Sequence, residues 1–105
     1  MLDLAKVHGN SMSPTLEHGD IVLCCNLGGL RENDVVIADI GKVGMVIKRI
    51  ESIIGENIVL KGDNQSLGSS ICGVNIPKSS ILGRVVVRVS SSFKFSLVKR
   101  PQTHC

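Results

Sequence analysis

Thirteen Val and eleven Ile against two Ala, in a chain of 105 residues, set the strongest constraint on what can form here. Two heavy atoms on Cβ leave these side chains one comfortable rotamer in a helix, whereas a pleated strand accepts them readily. Turn signals cut the apolar runs short. They fall at His18-Gly19-Asp20, Leu27-Gly28-Gly29, Ile40-Gly41-Lys42, Gly55-Glu56-Asn57, Gly62-Asp63-Asn64 and Leu67-Gly68-Ser69. The segments between them read as strands over Ile21–Cys25, Val35–Ile40, Val43–Ile53, Asn57–Lys61, Ile81–Val89 and Phe93–Val98. The Gly41-Lys42 and Gly55-Glu56-Asn57 breaks are short enough for hairpins. The pattern predicts a mainly β chain with one domain over 1–98 and a polar, frayed tail over 99–105.

Composition then removes several function classes. Aromatics make up 2%, Phe93 and Phe95 alone, which leaves no stacking platform for single-stranded nucleic acid. A net charge of +3, scattered along the chain, is too weak for a DNA-binding footprint, so no nucleic-acid partner is expected. No CxxC occurs, and His8, His18 and His104 lie at no metal-ligand spacing, so neither metal nor cofactor is expected. Cys24 and Cys25 are adjacent. In a strand they point to opposite faces, so at most one faces the core, and the four cysteines read as thiols in a reducing compartment. The first residues carry no long apolar segment, and Ile81–Val89, interrupted by Arg84 and Arg88, is too short to span a bilayer. A mean hydropathy of +0.27 is nevertheless high, and it predicts an apolar patch for a partner, a peptide or a lipid surface.

Two stretches carry chemistry. In the third strand, period two puts Val46, Lys48 and Ile50 on one face and Ile47, Arg49 and Glu51 on the other. Arg49 and Glu51 are expected to neutralise each other in solvent. Lys48 emerges between β-branched neighbours on the face expected to be covered, where desolvation disfavours the ammonium and makes the amine a usable base. Gly9-Asn10-Ser11-Met12-Ser13-Pro14 is a turn that can present the Ser11 hydroxyl, with Met12 and Pro14 shaping its surroundings. A serine needs a base, and no histidine here has an acidic partner by pattern, which leaves Lys48. Read locally, Ser11 fits a turn or cap serine equally well, and Lys48 fits a lysine snorkelling from a strand edge.

Gly9-Asn10-Ser11-Met12-Ser13-Pro14-Thr15-Leu16, running on through Gly19-Asp20-Ile21-Val22-Leu23, resembles the nucleophile box of type I signal peptidases and their LexA-like relatives. Val46-Ile47-Lys48-Arg49-Ile50 resembles their lysine strand, and Leu60-Lys61-Gly62-Asp63-Asn64 their G-D-N box. Gly73-Val74-Asn75-Ile76-Pro77 and Ile81-Leu82-Gly83-Arg84-Val85 resemble their closing boxes, in the same order. The resemblance implies an antiparallel β fold with coiled pseudo-barrel character. It implies Ser11 as nucleophile, Lys48 as general base and the Ser11 N–H in an oxyanion hole. Asn10, Met12 and Pro14 would line the site, and Gly62, Asp63 and Asn64 would support the lysine strand. The chain departs from the family at Gly68 and Ser70, where an orienting serine and an aspartate are usual, and at Asn33, where glycine is usual.

The function so implied is a serine endopeptidase that removes a leader or signal-like segment from a protein or peptide substrate in trans. Anchorless relatives of this kind include the maturation proteases of nickel superoxide dismutase. The alternatives are a LexA-like self-cleaving module and a non-catalytic binding module on the same fold. Only ten residues precede Ser11, and they contain neither Ala-Gly nor Cys-Gly, which disfavours self-cleavage. The expected location is the cytoplasm, with peripheral membrane contact and a homodimer as further candidate associations.

Overall fold

A computed structural model describes residues 2–26, 29–41, 44–63, 74–90 and 95–97. Asn64, Gly68, Ser70, Cys72, Cys105, the Leu67–Ser69 turn and the 99–105 tail lie outside these residues. The strands are β1 (Leu2–Lys6), β2 (Ile21–Cys25), β3 (Val35–Asp39), β4 (Met45–Ile54), β5 (Asn57–Lys61), β6 (Val74–Pro77), β7 (Ile81–Val89) and β8 (Phe95–Leu97). A 3-10 turn, Lys78–Ser80, joins β6 to β7. Strands β1 and β6 were not expected from the pattern. Both end the sheet path with one neighbour each, so little apolar alternation is needed to hold them, and β6 tolerates Pro77 at its end.

Every pairing is antiparallel, in the order β1-β2-β7-β3-β4-β5-β6, and the sheet curls into a half-barrel. Strand β7 is long enough to serve three neighbours. One edge pairs with β2; along the other, Ile81–Arg84 pair with β3 and Val87–Val89 with β8. Both expected hairpins form, with Gly41 and Gly55 at positive φ in the β3–β4 and β4–β5 connections.

The central strand β3 explains the architecture. Its Val-Val-Ile-Ala run is buried throughout, and alternation divides it between two cores. Val35 and Ile37 join Val7, Met12, Leu16, Val22, Cys24 and Val85 on one face. On the other, Val36 and Ala38 join Ile50, Ile58, Leu60 and Ile76. Each such side chain stabilises the fold by about 1.5–3 kcal/mol when fully covered. In β4 a bulge between Ile50 and Ser52 sets Glu51 out of register and leaves it exposed. Ile50 and Ile53, three apart, therefore both reach the second core.

Both sheet faces being covered overturns one expectation. Arg49 is not a solvent residue paired with Glu51; it is 7% exposed. It stands opposite Val35, whose face is packed by the loop between β1 and β2. Lys48, opposite Val36, is buried as expected, at 3% exposed.

Candidate active site

The Ser11 segment is the loop of the β1–β2 hairpin. Val7 N–H donates to Asp20 O at 2.8 Å and Gly19 N–H to Val7 O at 2.9 Å, closing its base. Inside, Ser13 N–H donates to Asn10 O at 3.1 Å and Leu16 N–H to Met12 O at 2.9 Å. This turn points Met12 and Leu16 into the first core, so the loop is fastened by its own apolar side chains. Gly9, at φ 83°, adopts the left-handed backbone that leads into the turn, and the Ser13–Pro14 peptide is cis. His18 Nδ1 accepts from Gly9 N–H at 2.8 Å.

Two arginines brace the loop from the sheet. Arg88 on β7 donates through Nη1 to Thr15 O at 3.0 Å. Its Nε lies 2.6 Å from Asp20 Oδ2, an ion pair rather than an aligned hydrogen bond. Arg49 on β4 grips Asp63 with both prongs, Nε to Oδ1 at 2.8 Å and Nη2 to Oδ2 at 2.7 Å, and donates through Nη1 to Asn33 O at 2.7 Å. Thr15 Oγ1 donates to the same Asp63 carboxylate. Burial alone would raise the Asp63 carboxyl. Hydrogen bonds from Arg49 and Thr15, with the charges of Arg49 and Lys61, outweigh that and hold it below its usual range. Asn33 sits at φ 73°, in the left-handed region that asparagine tolerates better than most residues with a side chain.

Ser11 and Lys48 come together on a cavity of about 340 Å³. Asn10, Ser11 and Met12 line it from the loop, and Val46, Ile47 and Lys48 from β4, with Lys6–Gly9 completing the wall. Gly62, just past β5, is the third element. A Cβ there would fall 2.8 Å from Ser11 O and 3.4 Å from Lys48 Nζ. Only a residue without a side chain lets these two groups approach the same point. Of the remaining expected site residues, Asp63 acts through Arg49 and Thr15, and Pro14 is exposed and outside the cavity lining. The cavity adjoins an open sheet edge. Strand β5 pairs with β4 only from Arg49 onward, so among the described residues Met45–Lys48 have β3 on one side and no strand on the other. Met45, at 71% exposed, stands at the mouth.

Pattern reading missed Arg49, Thr15, Asp20 and Arg88. Four consecutive apolar residues in β3 signal a strand covered on both faces, and a neighbouring arginine must then find a carboxylate. The adjacent cysteines divide as expected. Cys24 lies in the first core, its thiol pushed up to about 11 by burial and then by Asp3, and Cys25 is half-buried on the opposite face. Among the described residues no cluster of three or more His, Cys, Asp or Glu could hold a metal, and no helix is long and apolar enough to cross a membrane.

A family model described as Peptidase S24-like matches residues 2–86. The chain belongs to the Peptidase S24-like family. Neither a curated protein nor a solved structure matches it. The matched region of this Peptidase S24-like chain runs from β1 into β7 and contains the hairpin loop, the lysine strand and Gly62.

Proposed function

We propose that the protein is a serine endopeptidase that cleaves a protein or peptide substrate in trans with a Ser11–Lys48 dyad. The observation that carries this reading is the burial of Lys48 at a cavity it shares with Ser11, beside a glycine that a side chain would block. Burial disfavours the ammonium form and so favours the amine that a general base must offer. Lys48 Nζ takes the Ser11 Oγ proton as Oγ attacks the scissile carbonyl, and returns it to the leaving amine. A water, deprotonated by the same amine, then hydrolyses the acyl-enzyme. The Ser11 N–H faces the developing oxyanion. The open edge of β4 supports an extended substrate added as a further strand, with backbone hydrogen bonds supplying affinity.

Peptide-library digestion with mass-spectrometric reading of the new termini tests this directly. The native chain is expected to cut. Ser11→Ala and Lys48→Met are expected to lose about a thousandfold or more, and the double variant little beyond either, since nucleophile and base act as a unit. Because the mechanism uses the neutral amine, the native rate rises with pH as Lys48 loses its proton. Cleavage by Lys48→Met at the native rate would remove the lysine from the mechanism, and a native chain that cuts nothing would favour a binding module.

A further inference from the structure

Three arginines of β4 and β7 turn their guanidinium groups into the protein or along its surface, and two of them meet carboxylates. Arg49 has Asp63 and Arg88 has Asp20. Among the described residues Arg84 meets no carboxylate, and its buried Nε has no hydrogen-bond partner. Strand pairing on both sides, with Cys25 of β2 and Val36 of β3, fixes its backbone in the sheet. A buried charged donor left unpaired is expensive, and native proteins rarely keep one without a water, an ion or a ligand to receive it.

The surroundings of Arg84 have the shape for such a receiver. It lines a pocket of about 160 Å³ on the far part of the sheet from the Ser11 loop, together with Cys25, Asn26, Leu30, Lys78 and Leu82. Lys78 comes from the 3-10 turn, so two independent elements bring a cation to the same hollow. No Asp or Glu lines it among the described residues. Leu30, Ile81 and Leu82 give the wall an apolar part, which strengthens charge interactions beside it, and Asn26 adds a neutral polar group.

We propose that this pocket is a binding site for a compact oxyanion, a phosphate or carboxylate group, received by Arg84 and Lys78. Size supports the compact class. At about 30 Å³ for each water of liquid volume, the space equals about five waters, room for a tetrahedral or planar oxyanion with part of its hydration. It falls short of the roughly 300–1,000 Å³ that drug-sized or nucleotide ligands occupy. The fork of a guanidinium matches both oxyanions, and a lysine adds a point charge that is indifferent to geometry. The inference is independent of the dyad, since neither Ser11 nor Lys48 lines this pocket.

Amide and arginine Nε–H spectra of the nitrogen-15-labelled full chain, titrated at constant ionic strength, test the site without any cleavage assay. Inorganic phosphate and acetate are the two probes, with chloride as the reference. Saturable shifts are expected at Asn26, Leu82, Gly83 and Arg84, together with a moved Arg84 Nε–H signal. The probe that saturates at the lower concentration identifies the oxyanion. Arg84→Gln is expected to weaken binding by about tenfold or more, and Lys78→Gln by a smaller factor, as a charge-assisted donor and a more exposed one should. Arg84 lies between two strands, so if Arg84→Gln does not fold, Lys78→Gln on the surface turn decides. Shifts that fail to saturate, that match those from chloride, or that persist unchanged in the folded variants would overturn the site.

Discussion

Two basic residues side by side on β4 are both buried, yet they stand in different surroundings. Arg49 is surrounded by fixed acceptors, two oxygens of Asp63 and the carbonyl of Asn33, and the hairpin loop is tied to the same carboxylate through Thr15. Lys48 reaches instead toward a cavity, beside a serine and a glycine that leaves room at its Nζ. A guanidinium never gives up its proton in a protein, so it suits a permanent brace. An ammonium made dry can, so it suits a position where a proton must move. Adjacent strand positions thus tie the loop down through Arg49 and bring Lys48 to the cavity it shares with Ser11, where the proposed dyad would move its proton.

Exchanging the two residue types should break this division most severely. Lys48→Arg keeps a cation but has no proton-accepting form, so peptide cleavage should fall about a thousandfold or more. Arg49→Lys keeps its charge and loses the bidentate grip, which should cost about 1–3 kcal/mol in urea unfolding while the same bonds are cut in the peptide assay. An active Lys48→Arg chain, or an Arg49→Lys chain of native stability that cuts nothing, would show that the roles have been assigned to the wrong faces.

Acid should expose the brace next. The Asp63 carboxyl is held below the ordinary 3.8 in the folded chain. Its unfolded form therefore binds a proton at higher pH than its folded form does. The stabilisation is complete above the unfolded value and disappears as pH falls through the folded one. Asp63→Asn lacks this term, so its stability should lie below that of the native chain at neutral pH, with the gap narrowing progressively below about pH 4. Urea midpoints of both chains across the acid range measure it. A gap that stays constant on acidification would mean that packing, not the Arg49 charge, accounts for what Asp63 contributes.

The sheet was readable in the spacing of turn residues because the breaks at His18–Asp20, Ile40–Lys42 and Gly55–Asn57 fall where one strand gives way to the next, and Ile21–Cys25, Asn57–Lys61 and Ile81–Val89 match their observed bounds. Lys48 was readable because Val46 and Ile50 flank it at period two. Arg49 was not, since alternation in one strand states which residues share a face but not which faces are wet. That depends on β3 lying in the middle of the sheet and on a loop packing across it, whose Thr15 lies 34 residues before Arg49, information held in distant contacts. The closest local hint was Val35-Val36-Ile37-Ala38, and its consequence for the next strand follows only once β3 and β4 are known to pair. Strand β1 left almost no trace, because an edge with exposed Leu2 and Leu4 is held by β2 backbone rather than by its own burial.

The smallest effect concerns the backbone that receives Arg49. Asn33 N–H donates to Ile50 O at 2.8 Å and its carbonyl accepts from Arg49, so the residue links the loop before β3 to the brace at a φ of 73°. What the position demands is a left-handed backbone and a free carbonyl, neither of which requires an asparagine side chain. Asn33→Gly satisfies both, relieving strain in the folded chain while adding freedom to the unfolded one, and should change stability by no more than about 0.5 kcal/mol. Asn33→Ala keeps the carbonyl but carries a Cβ into the left-handed region and lacks the local hydrogen bonding open to asparagine, and should cost about 1 kcal/mol. Urea unfolding of the two variants beside the native chain separates these outcomes. Equal losses of several kcal/mol in both would show that the Asn33 side chain itself belongs to the brace; the expected order, Gly near native and Ala below it, would confine the role of this residue to its backbone.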